Sequence, residues 1–295
     1  MMKSEGASKL FDVPVILGMM RLLDYPDLAS PKALAGWIEA RIGEGLPVFD
    51  HADIYGGNAC ELAFGEAMSA APALRRQVRV ISKADIVPQQ LDTSDWRVKH
   101  YNTSGTYVTA AIDASLRRLR VETLDLFLIH RPDPLMPLAE TARALEEAVK
   151  SGKVQALGVS NFLPEQWRFL QSALSRPLIC NQIELSLRAS TPLFDGTHEA
   201  LQRDGLRLLA WSPLAGGRLQ EGVLAETLAE VSAETGLSAT ALAMAWLRRL
   251  PGQPVPVIGS LREERIADAV AGAGYEMPRA LWFRLLEAAR GHRVA

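Results

Sequence analysis

Eight short apolar runs alternate along this sequence with longer stretches of helical pattern, and this alternation most constrains the fold. The runs are rich in β-branched residues and apolar throughout, which is typical of parallel strands covered on both faces. Helical signals lie between them, such as Ser30 and Pro31, a cap and a first residue that begin a helix. The predicted strands are residues 13–18, 47–50, 78–82, 124–130, 154–160, 178–184, 206–212 and 255–260.

Eight strand–helix units without a break in composition predict an α/β protein, a closed (β/α)8 TIM barrel with residues 1–295 in a single domain. The alternative is an open doubly wound sheet, which usually carries a Gly-rich turn after an early strand, and no GxGxxG motif occurs here. The barrel is therefore favoured. Besides the helix at Ser30, helices are predicted to begin near Thr106, Pro137, Pro164, Asp195, Leu224, Ser238, Arg262 and Pro278.

Composition restricts the class of partner. The 295 residues are 48% apolar and 22% charged, as expected of a globular protein with a large core. A formal charge of −2 gives no basic surface for nucleic acid or an anionic membrane, so a small-molecule partner is expected. Cys60 and Cys180 have no neighbouring ligand residues, which predicts buried cysteines and no metal site. No long apolar stretch or signal peptide is evident, so we expect a cytoplasmic protein.

Polar side chains follow most of the predicted strands at their C-terminal ends, where a (β/α)8 barrel carries its active site. The segment FDHADIYGG places Asp50, His51, Asp53 and Tyr55 directly after the second strand. So many polar groups at one end of a barrel predict a catalytic or binding site there. Strands three to eight contain or precede Ser82, Lys83, His130, Arg131, Ser160, Asn161, Asn181, Gln182, Glu184, Trp211, Ser212, Gly259 and Ser260.

Three chemistries could use these residues. Metal-dependent hydrolysis normally needs several histidines, and the first strand supplies none. Schiff-base chemistry at Lys83 would need an amine of lowered pKa. Proton donation by Tyr55 would need a nearby cation, because an ammonium at Lys83 stabilises the phenolate and lowers the pKa of the phenol. In that third arrangement Asp50 keeps Lys83 charged, and His130 donates a hydrogen bond to a substrate oxygen.

Seven motifs then identify a family. FDHADIYGG, ISKAD, LIHRPD, GKVQALGVSNF, NQIELS, AWSPLAGGRL and VPVIGSLREERI occur in the order and spacing of the aldo-keto reductases. From residue 12 to its end the chain resembles that family, in particular its bacterial oxidoreductase-like branch. The resemblance implies NADPH-dependent reduction of an aldehyde or ketone to an alcohol, usually by a monomer. It also implies a catalytic tetrad of Asp50, Tyr55, Lys83 and His130, in which Tyr55 protonates the oxygen while the nicotinamide supplies hydride.

The resemblance further implies a dinucleotide site formed from several strand ends. Ser160, Asn161 and Gln182 match the positions that hydrogen-bond the nicotinamide carboxamide, a planar amide with donors and acceptors. Trp211 matches the aromatic residue that stacks on the nicotinamide ring. The loop that crosses the pyrophosphate matches Ser212, Pro213, Leu214, Gly216 and Arg218, and backbone contacts near the first strand match Met20 and Arg21.

The site for the adenosine 2′-phosphate departs from the family pattern. Ser260 and Arg265 match its usual residues at the start of a helix, which favours an anion. Gly259 stands where many members of the family have a lysine, and Ala269 where many have an asparagine. We expect Arg262 to compensate for the missing lysine, so NADPH is the preferred cofactor and NADH remains possible.

Substrate contacts are expected from Trp96 and Tyr101 in the connection after the third strand, and from His51 beside the tetrad. The chain ends in GHRVA, with no counterpart of the long C-terminal tail that covers the pocket in many members. Because neighbours on a strand alternate faces, the His51 ring is expected to point away from Lys83. Two other functions stay open: a cofactor-binding regulatory subunit resembling potassium-channel β-subunits, and a Schiff-base aldolase that uses Lys83.

Overall fold

The computed structural model describes residues 10–294. Eight strands of this part of the chain hydrogen-bond in the order β1–β10–β9–β8–β7–β6–β3–β2 and close into a barrel, which confirms the predicted fold class. All eight coincide with predicted runs, and the short antiparallel hairpin of β4 and β5 was predicted only as a loop. The strands are β1 Ile16–Gly18, β2 Val48–Asp50, β3 Arg79–Ala84, β4 Ile86–Val87, β5 His100–Tyr101, β6 Leu124–Ile129, β7 Val154–Ser160, β8 Leu178–Glu184, β9 Arg207–Trp211 and β10 Val255–Ile258.

Helices connect the strands, and three of the ten described α-helices begin at a serine whose side chain caps the first turn. Ser30 accepts a hydrogen bond from the Ala33 amide at 3.2 Å, with Pro31 as the first helical residue. No helix among residues 10–294 is both long and apolar enough to cross a membrane. The α-helices are α1 Pro31–Gly43, α2 Ala59–Ala70, α3 Gly105–Leu119, α4 Leu138–Lys150, α5 Pro164–Gln171, α6 Thr197–Asp204, α7 Gly222–Thr235, α8 Ala239–Arg248, α9 Glu263–Ala273 and α10 Arg279–Arg290.

Helix α2 was missed by the sequence analysis, for a physical reason. Its sequence ACELAFGEAMSA is small or apolar on most sides, so no polar face contrasts with an apolar stripe. Cys60, Glu61 and Phe64 on this helix are completely buried. Cys180 is equally buried, so both cysteines are buried as predicted, and neither forms a disulfide.

The chain divides into two compact units. Among the described residues, one comprises residues 10–13 with Gly18–Asn181, and the other comprises Pro14–Leu17 with residues 182–294. In the first unit β2 pairs with β3, β3 with β6, and β6 with β7, all parallel. In the second unit β10 pairs in parallel with β1 and with β9. The single domain over residues 1–295 stays a prediction.

Close contact between α2 and α3 depends on a glycine. A Cβ added to Gly65 would lie 1.9 Å from the backbone oxygen of Arg118. Gly36 in α1 is also helical, yet a Cβ there would meet no atom within 4 Å. The two glycines therefore test packing and helix propensity separately.

We expect Gly65→Ala and Gly36→Ala to change stability in opposite directions. The new methyl group at residue 65 forces two backbones apart and should lower the free energy of unfolding by about 1–3 kcal/mol or more. At residue 36 alanine should raise that free energy by up to about 1 kcal/mol, because glycine is a poor helix former. Urea unfolding of both variants measures this, and equal effects would contradict the close approach at Gly65.

Candidate active site

Lys83 lies at the centre of a buried polar cluster at the C-terminal end of β3. Its Nζ donates to Asp50 Oδ2 at 2.7 Å, to the His51 backbone oxygen at 2.6 Å and to Tyr55 Oη at 3.2 Å. The side chains of Lys83 and Asp50 are 0% and 3% exposed. Each N–H of the ammonium therefore has an acceptor, as a buried charge requires. The structure brings three of the four predicted catalytic residues into direct contact.

The phenol of Tyr55 keeps its proton in this cluster. Burial raises the pKa of Tyr55, and the charge of Lys83 opposes this rise without reversing it. The net lowering expected from the sequence is thus not observed, because desolvation penalises the phenolate more than the ammonium stabilises it. Burial alone would lower the pKa of Lys83, but Asp50 and Tyr55 outweigh burial and raise it. The result is a protonated phenol beside a charged ammonium.

His130 follows β6 and faces Tyr55 edge-on. The two ring centroids are 6.3 Å apart, with the planes at 82°. Burial lowers the pKa of His130 well below its ordinary value, and the charges of Lys83, Arg131 and Lys99 lower it further. The imidazole is therefore neutral at physiological pH and can donate one hydrogen bond from the nitrogen that carries the proton.

A tight turn after β2 places Tyr55 against Lys83. Gly56, Gly57 and Asn58 all have left-handed backbone angles, with φ of 56°, 60° and 78°. Glycine adopts this region at little cost and asparagine tolerates it better than most residues. The Asn58 side-chain amide donates to the backbone oxygen of Asp53 and so closes the turn. The GGN sequence is thus the local reason that the chain reverses immediately after Tyr55.

His51 is placed differently from its predicted role in substrate binding. The residue is completely buried, and its ring packs against Phe64 with a centroid distance of 4.6 Å. Burial, with a contribution from Lys83, lowers the pKa of His51 to about 3, so the ring is neutral. The structure contradicts the substrate assignment, because a side chain without exposed surface cannot touch a ligand there. Its backbone oxygen instead accepts a hydrogen bond from Lys83.

The other two predicted substrate residues lie in the connection between β3 and α3. Trp96 is 85% exposed, and Tyr101 is half-buried in β5. The turn before β5 is ordered by Asp92, whose carboxylate accepts from the backbone amides of Ser94 and Val98. The roles of Trp96 and Tyr101 stay predictions.

Lys99, in the same connection, contributes to the low pKa of His130. The sequence analysis did not single it out, because one lysine in a polar loop carries no motif.

The predicted cofactor residues of the first unit lie at the ends of β7 and β1. Ser160 ends β7 and is buried, and Asn161 follows it with a left-handed φ of 63°. The Asn161 side-chain nitrogen donates to Ser160 Oγ at 2.8 Å and to the His130 backbone oxygen at 3.2 Å. Met20 and Arg21 lie in a 3₁₀ turn after β1, with Met20 more than half exposed.

The predicted cofactor residues of the second unit lie on β8, β9 and the loop that follows. Gln182 is buried on β8, and Trp211 ends β9. Ser212, Gly216 and Gly217 have positive φ, and a Cβ on either glycine would meet no atom within 4 Å. Their backbone therefore borders open space, which leaves room for a close ligand. The loop continues through Pro213, Leu214 and Arg218, whose Nε donates to the Ala215 oxygen at 3.0 Å.

The predicted phosphate residues lie at the beginning of α9. Ser260 Oγ accepts from the backbone amide of Arg262 at 3.4 Å, and Arg262 is the residue immediately before the helix. Arg262 and Arg265 are both exposed, and Gly259 immediately follows β10. Two guanidinium groups and a helix N-terminus together provide donors suited to an anion.

A second buried polar network lies behind the cluster around Lys83. Glu61 on α2 accepts from Ser82 Oγ at 2.7 Å and from Arg118 Nε at 2.6 Å. Asp53 is also buried, and its Oδ1 has no hydrogen-bond partner among the described residues. Burial, with a contribution from Glu61, raises the pKa of Asp53 to about 7. Glu61 and Arg118 were not predicted, because contacts between distant helices leave no local sequence signal.

The carboxyl of Asp53 should make stability depend on pH. The folded protein binds this proton more tightly than the unfolded chain, since the pKa is about 7 instead of 3.8. The contribution of this bound proton to the free energy of unfolding is therefore complete below pH 4, and it is lost as the pH rises to 7. Asp53→Asn cannot ionise at this position. Compared with that variant, the free energy of unfolding of the wild type should fall by up to about 4 kcal/mol between pH 4 and 7. Urea unfolding between pH 4 and 7 measures this. If the free energy of unfolding changes with pH by the same amount in wild type and Asp53→Asn, Asp53 is already ionised in the folded protein.

Comparison with known proteins agrees with this geometry. The sequence matches the model of the aldo/keto reductase family over residues 14–277. It is similar to a 6-dehydroglucose reductase of Agrobacterium fabrum, at 42% identity over 284 residues that cover 95% of each chain. It is also similar to oxidoreductase YdhF of Escherichia coli, at 41% identity over 284 residues, or 95% of this chain and 94% of that one.

Solved structures give the same result. A thermostable aldo-keto reductase, solved in complex with the inhibitor epalrestat, aligns with a TM-score of 0.78 at 25% identity. The alignment covers 93% of this chain and 94% of that one. With a barrel of the same kind and relatives above 40% identity over nearly the whole length, the chain belongs to the aldo/keto reductase family of NAD(P)H-dependent oxidoreductases.

Proposed function

We propose that this protein reduces an aldehyde or ketone to an alcohol, with NADPH as the preferred cofactor and NADH as a weaker alternative. The observation that carries the proposal is the contact of Lys83 Nζ with both Asp50 and Tyr55. Together these groups keep a phenolic proton available beside a fixed positive charge. Carbonyl reduction needs such a donor, because the oxygen gains negative charge as the carbon is reduced.

Each residue of the proposed tetrad has a separate part. Tyr55 transfers its proton to the carbonyl oxygen, and Lys83 stabilises the phenolate that remains. Asp50 keeps Lys83 charged and oriented, since a buried ammonium without a counterion would lose its proton. The neutral imidazole of His130 donates a hydrogen bond to the same oxygen. When bound, the reduced nicotinamide supplies the hydride that enters the carbonyl carbon.

The predicted cofactor residues have chemistry that fits a nicotinamide dinucleotide. Ser160, Asn161 and Gln182 offer the hydroxyl and amide groups that a carboxamide needs, and Trp211 offers a ring for stacking. The open backbone around Gly216 suits a pyrophosphate, as do peptide N–H groups in a glycine-rich loop. The remaining proposed contacts are Met20, Arg21, Ser212, Pro213, Leu214, Arg218, Gly259, Ser260, Arg262 and Arg265.

The two other functions are less well supported. A Schiff base at Lys83 needs a neutral amine, but this lysine makes three hydrogen bonds and has a raised pKa. A purely regulatory role gives no reason to keep a buried ion pair beside a phenol. We propose a monomeric, cytoplasmic, single-domain enzyme that acts on a small carbonyl compound. One family model spans residues of both compact units, which supports the single domain.

The first substrates to test are polyhydroxylated aldehydes. A relative with 42% identity is named a 6-dehydroglucose reductase. An activated aromatic aldehyde is a useful second substrate, since it is reduced easily and needs no specific contacts.

Replacing Tyr55 by phenylalanine should abolish reduction. The phenyl ring keeps the packing and removes the proton donor, so kcat should fall by about 100-fold or more. Oxidation of NADPH followed at 340 nm gives the rate, and Tyr275→Phe in the second unit is the matched control that should behave as the wild type. Equal rates for wild type and Tyr55→Phe would remove Tyr55 from the mechanism.

Replacing Arg265 by alanine should weaken the binding of NADPH and leave the binding of NADH unchanged. Loss of a charge-assisted hydrogen bond to a phosphate raises the dissociation constant of NADPH by about tenfold or more and leaves that of NADH unchanged. Fluorescence titration with each cofactor measures binding without turnover, and Arg279→Ala at the start of α10 is the control. A similar loss of affinity for NADPH and NADH would mean that Arg265 does not contact the 2′-phosphate.

A further inference from the structure

Asp85 combines two unfavourable features beside the proposed tetrad. It directly follows β3, two residues after Lys83, and it is completely buried. Its φ of 132° is a value that residues other than glycine rarely adopt. A buried carboxyl and a strained backbone in one residue persist only where the surrounding contacts compensate.

The contacts of Asp85 and its neighbour converge on His130. Asp85 Oδ2 accepts from the backbone N–H of Arg131 at 2.9 Å. The backbone oxygen of Ala84 accepts from the backbone N–H of His130 at 3.1 Å. The two peptide groups on either side of the His130 Cα are therefore both held from the end of β3.

These contacts lie at the point where the pairing of β3 with β6 ends. The ladder between β3 and β6 ends with Ala84 opposite Ile129. At Asp85 the backbone turns away towards the β4–β5 hairpin, where its carbonyl accepts from the Asn102 N–H at 2.8 Å. Beyond the end of this ladder, the backbone N–H of Arg131 donates to the side-chain oxygen of Asp85. Asp85 therefore contacts the hairpin through its backbone carbonyl and the end of β6 through its side chain.

His130 depends on this backbone for its orientation. Its Nδ1 is buried and has no hydrogen-bond partner among the described residues, so no bond at that nitrogen holds the ring. Its backbone oxygen accepts from Asn161, which holds the other side of the same peptide group. Movement of the 130–131 peptide would therefore displace the ring from its place opposite Tyr55.

We propose that Asp85 is a positioning residue that fixes the His130 imidazole opposite Tyr55 through the backbone N–H of Arg131. The inference rests on the proposed function, in which His130 donates to the substrate oxygen. Asp85 does not need its charge for this role. Burial raises its pKa well above the ordinary value, with Asp53 and Asp133 adding to the rise, so a neutral amide can replace the carboxyl.

Three variants separate the acceptor from the backbone conformation. Asp85→Asn keeps an acceptor oxygen and a residue that tolerates positive φ, so kcat should stay within about threefold of the wild type. Asp85→Gly relieves the backbone strain but removes the acceptor, and kcat should fall about tenfold or more with an unchanged NADPH dissociation constant. Asp85→Ala loses the acceptor and keeps the strain, so it should also have a lower melting temperature than Asp85→Gly.

A measurement without turnover tests the geometry itself. The chain has five histidines, and the imidazole signals of His130 can be assigned by their loss in His130→Gln. In ¹H–¹⁵N spectra the His130 signals should shift in Asp85→Gly and stay at their wild-type positions in Asp85→Asn. The His198 signals should stay at their wild-type positions in both variants. Shifted signals in a protein that reduces no carbonyl compound would support the positioning and overturn only the proposed function.

Three outcomes would overturn the proposed positioning role. One is a His130 signal that does not move in Asp85→Gly. Another is a kcat that falls equally in Asp85→Asn and Asp85→Gly, because the amide would then fail to replace the carboxyl as acceptor. A loss of melting temperature in Asp85→Gly with normal kcat would likewise assign Asp85 a purely structural role.

Discussion

The buried ion pair between Lys83 and Asp50 is the interaction on which the rest of the site depends. An ammonium without contact with water is tolerated only when acceptors satisfy all of its protons and a counterion offsets its charge. Asp50, the His51 carbonyl and the Tyr55 hydroxyl meet that demand together. The need to compensate one buried charge therefore places the Tyr55 phenol, the Asp50 carboxylate and the end of β2 within hydrogen-bonding distance of Lys83.

The surroundings of this pair are unusually polar for a protein interior. Asp53 and Asp85 are both buried, each with one carboxyl oxygen that has no hydrogen-bond partner in the described part of the chain. Glu61 accepts hydrogen bonds from Ser82, the residue next to Lys83, and from Arg118. Buried acids lower stability unless ion pairs or hydrogen bonds satisfy them. Their arrangement around β3 is consistent with stability being given up for accurate placement of Tyr55 and His130.

Sequence reasoning succeeded where the signal was local and repeated. All eight barrel strands coincide with apolar runs, because parallel strands covered on both faces need continuous apolar sequence. Helix α2 was missed, since its sequence is small or apolar on most sides and shows no amphipathic stripe. His51 was assigned to the substrate from its proximity along the chain to Asp50 and Tyr55. Proximity along a strand says little about contact, because successive side chains point to opposite faces.

By itself the sequence predicted the barrel and the family, since apolar periodicity and ordered motifs are properties of the chain alone, and the resemblance to that family led to the proposed tetrad. Only the tertiary structure decided how those residues act on each other. Whether Tyr55 keeps its proton depends on burial against the charge of Lys83, and the peptide that follows His130 donates to Asp85, a residue 45 positions before His130 in the chain. Desolvation and hydrogen-bond geometry arise from contacts between distant segments, and such contacts exist only once the chain has folded.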